Sequence, residues 1–537
     1  MVDIGTLSLI LLLAMFALLA IGMPLGFASA FLAVMTLVLK FGPDILFGRF
    51  GQGPFNVLGQ AVYRQMTNYT LISVPLFIFM AALLERSGIA RDMYSSLNAW
   101  LSRARGGIAI VTSVMAVIMA AMSGIIGGEV VLLGLIALPQ MLRLGYNQNL
   151  AIGTICASGS LGTMIPPSIV LIFYGLVTET SIKALFTASF LPGFMLASFF
   201  IIYIIIRTQL NPDQAPLPEP EPGEPEGMEK FMMFISWLAR FAGWVALAFT
   251  LLLVVISVIR GGDVTDSGET VWQVSQLRIL KLGVVAALGF GISYAFGVER
   301  SRRGWEAGKG LNAPFIVVGA VLGSIYGGIT GITEAAAMGA IAVFVIGLVR
   351  REMTWQIVWD SVMRTLKSTG TIIWVTIGAA SLAAAYTLAG GPRHVAELIV
   401  GADMPTMGII LLMMLIFLIM GMFMDWVGIV LLVMPVFLPI VLKLPIEELG
   451  YIGTLEPKNV AIWFGVVFCM NMQVSFLSPP FGPAAFYLKS VAPAHISLTD
   501  IFKGFLPFIA IQLLALVLLW LFPQIVLWLP HLSDAVR

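Results

Sequence analysis

The amino-acid sequence predicts an all-α polytopic membrane protein. Hydrophobic residues make up 59% of its 537 residues and charged residues only 11%, and the mean hydropathy is +1.00. In soluble domains, about a quarter of the residues are charged. Several segments reach the roughly 20 apolar residues that a helix needs to cross a bilayer, and no alternating pattern indicates a barrel. A formal net charge of +1 says little about partners.

Two apolar segments that should each form one membrane-spanning helix are interrupted by paired prolines. The first interruption lies in residues 158–168 and the second in residues 471–481. Paired prolines remove two backbone donors and disfavour helix before them. Unwound backbone at membrane depth is tolerated where protein buries it or where it lines a polar cavity, so both segments are candidate binding sites. One spacing of 313 positions relates Cys156 to Cys469, Pro166-Pro167 to Pro479-Pro480, and Phe173-Tyr174 to Phe486-Tyr487.

A re-entrant helical hairpin is predicted ahead of each broken helix. Residues 106–122 and 130–142 are short apolar pieces around a glycine-rich joint, and residues 408–420 and 429–442 repeat this arrangement. Each piece is short for a full crossing. Arg103, Arg105 and Arg143 flank the first hairpin. At the second hairpin, the charge of Lys443 is offset by Glu447 and Glu448. We therefore predict oppositely facing mouths and inverted structural repeats, the architecture of secondary transporters.

The remaining segments complete a six-part division. Residues 7–38 form either one kinked helix or two short ones, residues 93–101 and 353–367 are predicted interfacial helices, 369–388 a span, and 299–309 a basic loop. The acidic, proline-rich residues 211–227 are a predicted linker. The predicted divisions are N-terminal scaffold helices (1–104), first hairpin and broken helix (105–180), scaffold helix with linker and two extra spans (181–311), second-half scaffold helices (312–405), second hairpin and broken helix (406–492) and C-terminal span (493–537).

Other function classes fit the residues less well. A membrane-embedded hydrolase would need a nucleophile with a base, or a metal-ligand cluster, and the three scattered histidines and two cysteines supply neither. The cysteines lie in matching intramembrane segments, so a disulfide is not expected. A passive channel would need a continuous polar pore, whereas the polar groups here concentrate at two closed tips. The sequence therefore predicts a carrier and not an enzyme.

The polar groups of the tips and broken helices suit a hard cation. Carbonyl and hydroxyl oxygens are the ligands that Na⁺ would use, and half-helix N-termini favour an organic carboxylate. Asp425 is a candidate site residue because an intramembrane carboxylate is costly. Glu129 and Glu334 either cap the following helix or act in the site. The first tip offers Ser123 and Gly124 facing the backbone of Gly162 and Ile165 near Pro167. The second offers Gly421 and Asp425 facing Ser475 and Ser478 near Pro480.

Several ordered motifs resemble the large membrane subunit of tripartite ATP-independent periplasmic (TRAP) transporters. They are Ser123-Gly124, the run ending at Ser168, residues 330–337, residues 421–425 and residues 477–482. The resemblance covers about residues 1–210 and 312–525. Ile125 stands where family members often have a second serine, and residues 330–333 depart from the more usual Thr-Pro-Thr. The segment 212–311 has no counterpart in the shorter members.

The resemblance implies an elevator-type, Na⁺-coupled importer of organic acids, such as C4-dicarboxylates, in the bacterial inner membrane. It implies two partners: a small four-helix membrane subunit and a periplasmic solute-binding protein. The resemblance assigns Ser123, Gly124, Gly162, Ile165 and Pro167 to a first Na⁺ site, Gly421, Ser475, Ser478 and Pro480 to a second, and Asp425, Ser168 and Ser123 to the substrate.

Overall fold

The computed structural model is helical throughout the part of the chain that it describes. The described residues are 2–47, 53–101, 103–124, 127–218, 225, 227–260, 271–401, 404–422, 424, 426–449 and 455–535, and none of them forms a strand. Eight of the helices in these ranges are long and apolar enough to cross a membrane. The prediction of an all-α polytopic membrane protein is therefore confirmed.

The described residues of the first half of the chain form ten α-helices. They are α1 (Ile4–Ala20), α2 (Leu25–Phe41), α3 (Asn56–Met66), α4 (Ser73–Arg86), α5 (Ile89–Leu101), α6 (Gly107–Ser123), α7 (Gly128–Arg143), α8 (Gln148–Gly159), α9 (Ile169–Thr178) and α10 (Ile182–Leu210). The N-terminal apolar run is thus two helices and not one, because Gly22 takes a positive φ of 86° and Pro24 follows it.

Within its described ranges, the second half adds twelve α-helices. They are α11 (Gly227–Arg260), α12 (Val271–Ala295), α13 (Val298–Tyr326), α14 (Ile332–Val349), α15 (Trp355–Leu388), α16 (Gly391–Val400), α17 (Thr406–Gly421), α18 (Trp426–Val441), α19 (Pro457–Leu477), α20 (Pro483–Lys489), α21 (Leu498–Leu521) and α22 (Pro523–Ala535). Helices α11 and α12 correspond to the two extra spans and pack against each other, and α11 also packs against α13. Residues 219–224 and 226 of the predicted linker lie outside the described residues.

Two predictions about the second half are wrong. Residues 353–388 were expected to be an interfacial helix and a separate span, but α15 runs continuously for 34 residues because no proline separates its amphipathic start from its apolar end. The predicted basic loop 299–309 lies inside α13. There, ion pairs at helical spacing join Arg303 to Glu299 and Lys309 to Glu306.

A helical hairpin followed by a broken helix occurs twice. Hairpin 1 is α6 with α7, and loop 1 (residues 160–168) then separates α8 from α9. Hairpin 2 is α17 with α18, and loop 2 (residues 478–482) separates α19 from α20. The Pro166-Pro167 and Pro479-Pro480 peptide bonds are both cis. The inverted relation of the two units and the six-part division stay predictions.

The core of the protein lies between these units. Helix α19 is its centre, since 94% of the apolar 18-residue stretch of this helix is buried inside the protein. It packs against α17, α21 and α9, while α8 packs against α6, α7 and α21. Away from this core, α15 packs against α2, α3 and α4, and it also contacts α18. Both cysteines are free and fully buried in the core, as predicted.

Candidate functional site

The tip of hairpin 1 closes directly onto loop 1. Gly124 ends α6 in the left-handed conformation, with φ 59°. A Cβ at this position would meet the carbonyl oxygen of Pro167. The amide of Ile169 donates to the carbonyl of Gly124 at 3.3 Å. Glycine is therefore required here both for its positive φ and for the close approach of two backbones.

A buried carboxylate lies beside this tip. The hydroxyl of Ser123 donates a hydrogen bond to one oxygen of Glu129, which is 1% exposed. The other oxygen of Glu129 has no hydrogen-bond partner among the described residues. The sequence left open whether Glu129 caps α7 or acts in the site. The structure directs it across the tip to Ser123, a contact that the sequence alone did not predict.

Loop 1 is buried along its whole length. Ser168 caps α9 by accepting from the amide of Leu171, and its hydroxyl donates to the carbonyl of Thr163 at 2.5 Å. No hydrogen bond between described residues ends on the carbonyls of Gly162 or Ile165. These two oxygens therefore have no hydrogen-bond donor among the described residues, whereas the hydroxyl of Ser168 is used within the protein. A substrate contact of Ser168 stays a prediction.

Hairpin 2 meets the broken helix of the second half in a similar way. A Cβ at Gly421, the last residue of α17, would meet the side chain of Ser475 in α19. Ser475 and Ser478 each donate their hydroxyl to the carbonyl four residues earlier, at 3.2 Å and 2.8 Å. Each hydroxyl oxygen keeps lone pairs with which it can still accept. Pro480 is exposed, so loop 2 is more open than loop 1. Asp425 lies outside the described residues.

The two broken helices meet at equivalent positions. Ser160 of loop 1 donates to the side-chain oxygen of Gln473 in α19 at 2.5 Å, and these residues are 313 positions apart. Gln512 of α21 donates to the same hydroxyl at 3.3 Å. All three side chains are fully buried. This contact was not among the predictions, although the repeat spacing of 313 positions relates Ser160 to Gln473.

A cavity of about 390 Å³ lies between the hairpins and broken helices on one side and the helices α4 and α15 on the other. Four helices begin at its wall: α7 at Gly128, α9 at Ile169, α18 at Trp426 and α20 at Pro483. The amide groups of a first helical turn lack intrahelical partners and favour negative charge. The volume is within the range of small-molecule sites.

The profile of one protein family matches almost the whole chain. That family is described as tripartite ATP-independent periplasmic transporter, DctM component, and the match covers residues 12–525. The chain belongs to this family. It is therefore a permease subunit of a TRAP transporter, not an enzyme, and a multi-pass protein of the bacterial inner membrane.

The names of individual relatives specify different solutes. The chain is 26% identical to the C4-dicarboxylate TRAP transporter large permease protein DctM of Pseudomonas aeruginosa, over 92% of each chain. It is 26% identical to the ectoine large permease protein TeaC of Halomonas elongata, over 98% of this chain and 99% of that one. It is also 25% identical to the isethionate permease protein DctMQ of Oleidesulfovibrio alaskensis, over 94% of this chain, and spans 64% of that relative's length.

A solved structure supports the fold. The transporter YdaH of Alcanivorax borkumensis matches with a TM-score of 0.50 and 15% identity, covering 94% of this chain and 97% of that one. In this TRAP permease subunit, the structure brings Ser123, Gly124 and Pro167 together at one tip and Gly421 and Ser475 at the other. Ile165 instead packs its side chain against α10, where Gly193 faces it.

Proposed function

We propose that this subunit imports a small organic acid across the inner membrane, coupled to Na⁺ and by an elevator mechanism. The observation that carries the proposal is the closure of each hairpin tip onto a broken helix. Gly124 meets loop 1 at Pro167, and Gly421 meets Ser475 just before loop 2. Each junction gathers backbone carbonyl and serine oxygens, which are suitable ligands for Na⁺.

The first Na⁺ ion would lie at the junction of hairpin 1 with loop 1. The carbonyls of Gly162 and Ile165 and the hydroxyl oxygen of Ser123 are its proposed ligands. The second ion would lie between Gly421 and the serines 475 and 478. Because each junction joins a hairpin to a broken helix, an ion bound there would hold the two elements together. This provides a physical route from Na⁺ occupancy to the closure of the tips.

The solute would bind in the cavity where the four helices begin. Its wall of helix starts favours an anionic group, in agreement with the C4-dicarboxylate and isethionate named for relatives. In the proposed cycle, the hairpins and broken helices move as a unit against α4 and α15 and carry the solute with them. A small membrane subunit would support this scaffold, and a periplasmic binding protein would deliver the solute.

Uptake into proteoliposomes tests this proposal. The chain is reconstituted with its small subunit and binding protein, and accumulation of labelled succinate and isethionate is measured under an inward Na⁺ gradient. We expect uptake of at least one of the two that stops when K⁺ replaces Na⁺ and when the binding protein is omitted. Uptake that persists without Na⁺ contradicts the coupling. Uptake that persists without the binding protein indicates a carrier of another type or a channel.

We further propose that Asp425 contacts the solute. Its neighbours in sequence, Trp426 and Val427, line the cavity. We expect Asp425→Ala to abolish uptake, because it removes the carboxylate that we propose for the solute site. The complex should still assemble, since the change adds no bulk. Asp360→Ala is the control, since it removes only an exposed ion pair with Arg86, worth about 0–1 kcal/mol. Normal uptake by Asp425→Ala would remove this residue from the site.

A further inference from the structure

One wall of the cavity is charged. Among its described lining residues, two are charged: Glu85 in the last turn of α4 and Arg364 in α15. Their side chains form an ion pair. The Glu85 side chain is 13% exposed and that of Arg364 is 40% exposed, so the guanidinium is the more accessible partner.

The guanidinium of Arg364 has capacity for a further ligand. Its described hydrogen bond runs from Nη1 to Oε2 of Glu85. A guanidinium carries five N–H donors in a planar fork that matches a carboxylate or sulfonate. Ser368 and Thr371, one and two turns further along α15, line the same cavity. This face of α15 therefore offers a cation followed by two hydroxyl groups.

The ion pair also lies against the start of α7. A Cβ at Gly128, the first residue of that helix, would meet Oε1 of Glu85 and would come within 3.1 Å of Nη2 of Arg364. The carboxylate of Glu85 is thus close to both a guanidinium and a helix N-terminus. Each of these groups favours an anion. Glu85 therefore occupies a place in the cavity where an anionic ligand would be stabilised.

We propose that Arg364 binds the anionic group of the solute and that Glu85 holds this position in the empty carrier. The inference rests on the proposed function only in taking a small organic anion as the solute. The solute's anionic group competes with Glu85 for the guanidinium and the start of α7. The internal carboxylate weakens binding, so the solute can leave again, and it neutralises Arg364 when no solute is present.

Protection of a cysteine from labelling tests this assignment without requiring transport. Ser368→Cys places a thiol in the cavity, and the native cysteines are fully buried and should not react. The purified complex with its small subunit is treated with methyl methanethiosulfonate in the presence of succinate, isethionate or uncharged succinamide. We expect the two anions to protect the thiol, and succinamide not to protect it.

Three further substitutions in this background separate recognition from structural support. Arg364→Gln should raise the half-protecting anion concentration about tenfold or more, because a charge-assisted contact is lost. Glu85→Gln should lower that concentration severalfold. Arg86→Gln is the matched control and should leave it unchanged, since Arg86 pairs with Asp360 between the same two helices at 3.2 Å but does not line the cavity.

Opposite shifts for Arg364→Gln and Glu85→Gln support the proposal. Equal weakening by both would show that the pair only holds α4 to α15, and it would overturn the assignment. An unchanged Arg364→Gln, protection by succinamide, a thiol that never reacts or a lack of protection by either anion would also overturn it. Failure of the Na⁺ coupling is distinguishable, because Na⁺-independent uptake would leave the pattern of protection intact.

Discussion

Gly124→Ala should abolish Na⁺-driven uptake. Alanine in the left-handed region costs about 1–2 kcal/mol, and here its methyl group would also collide with the carbonyl oxygen of Pro167. The obstacle is backbone and not a flexible side chain, so the tip of hairpin 1 must move away from loop 1. That movement separates the hydroxyl of Ser123 from the loop carbonyls that we propose as Na⁺ ligands.

Gly390→Ala provides a matched control for the backbone cost. Gly390 has a φ of 90°, and a Cβ there would meet nothing within 4 Å. The Gly390→Ala substitution therefore has a similar conformational cost but causes no collision. Uptake and the rise of the thermal unfolding midpoint with Na⁺ concentration are measured for both variants. We expect the control to retain the Na⁺ response and Gly124→Ala to lose it, whereas an unaltered Na⁺ response in Gly124→Ala would rule out a Na⁺ site at this junction.

Local chemistry explains why the hairpins and broken helices could be predicted from the sequence. A proline pair removes backbone donors wherever it stands, and a glycine-rich joint ends a helix regardless of its surroundings. Loop 1 therefore occurs at Pro166-Pro167, and the tip of hairpin 1 begins at Gly124, as expected. The predicted division of α15 failed for the complementary reason. A change in composition, without a helix-breaking residue, does not end a helix.

The contacts across the site could not be read from local patterns. Ser160 and Gln473 are distant in sequence, and only packing of the two broken helices brings their side chains within hydrogen-bond distance. The direction of Glu129 also depends on tertiary structure, because a glutamate in a first helical turn has the same sequence signature whether it caps the helix or reaches Ser123. The Arg364–Glu85 pair joins two helices that the sequence analysis treated as scaffold.

Gly421→Ala should disable the second half of the site while leaving the first intact. Gly421 is helical, so its substitution causes no strain in φ. Its Cβ would instead meet both Oγ and Cβ of Ser475. Because Ser475 is buried in α19, its side chain has little space to yield. We expect α17 to be displaced from α19, with loss of Na⁺-driven uptake and a weaker dependence of thermal stability on Na⁺.

Two additional variants separate the collision from the loss of an ion ligand. Gly408→Ala lies in the same helix, where a Cβ would meet only Pro405 at an ordinary 3.6 Å, so uptake should be normal and stability unchanged or raised by up to about 1 kcal/mol. In Gly421→Ala with Ser475→Gly, the collision is relieved but the hydroxyl is missing. Assembly and thermal stability without Na⁺ should then recover, while the Na⁺ affinity should not. Full recovery of Na⁺ affinity would show that Ser475 packs against Gly421 without binding the ion.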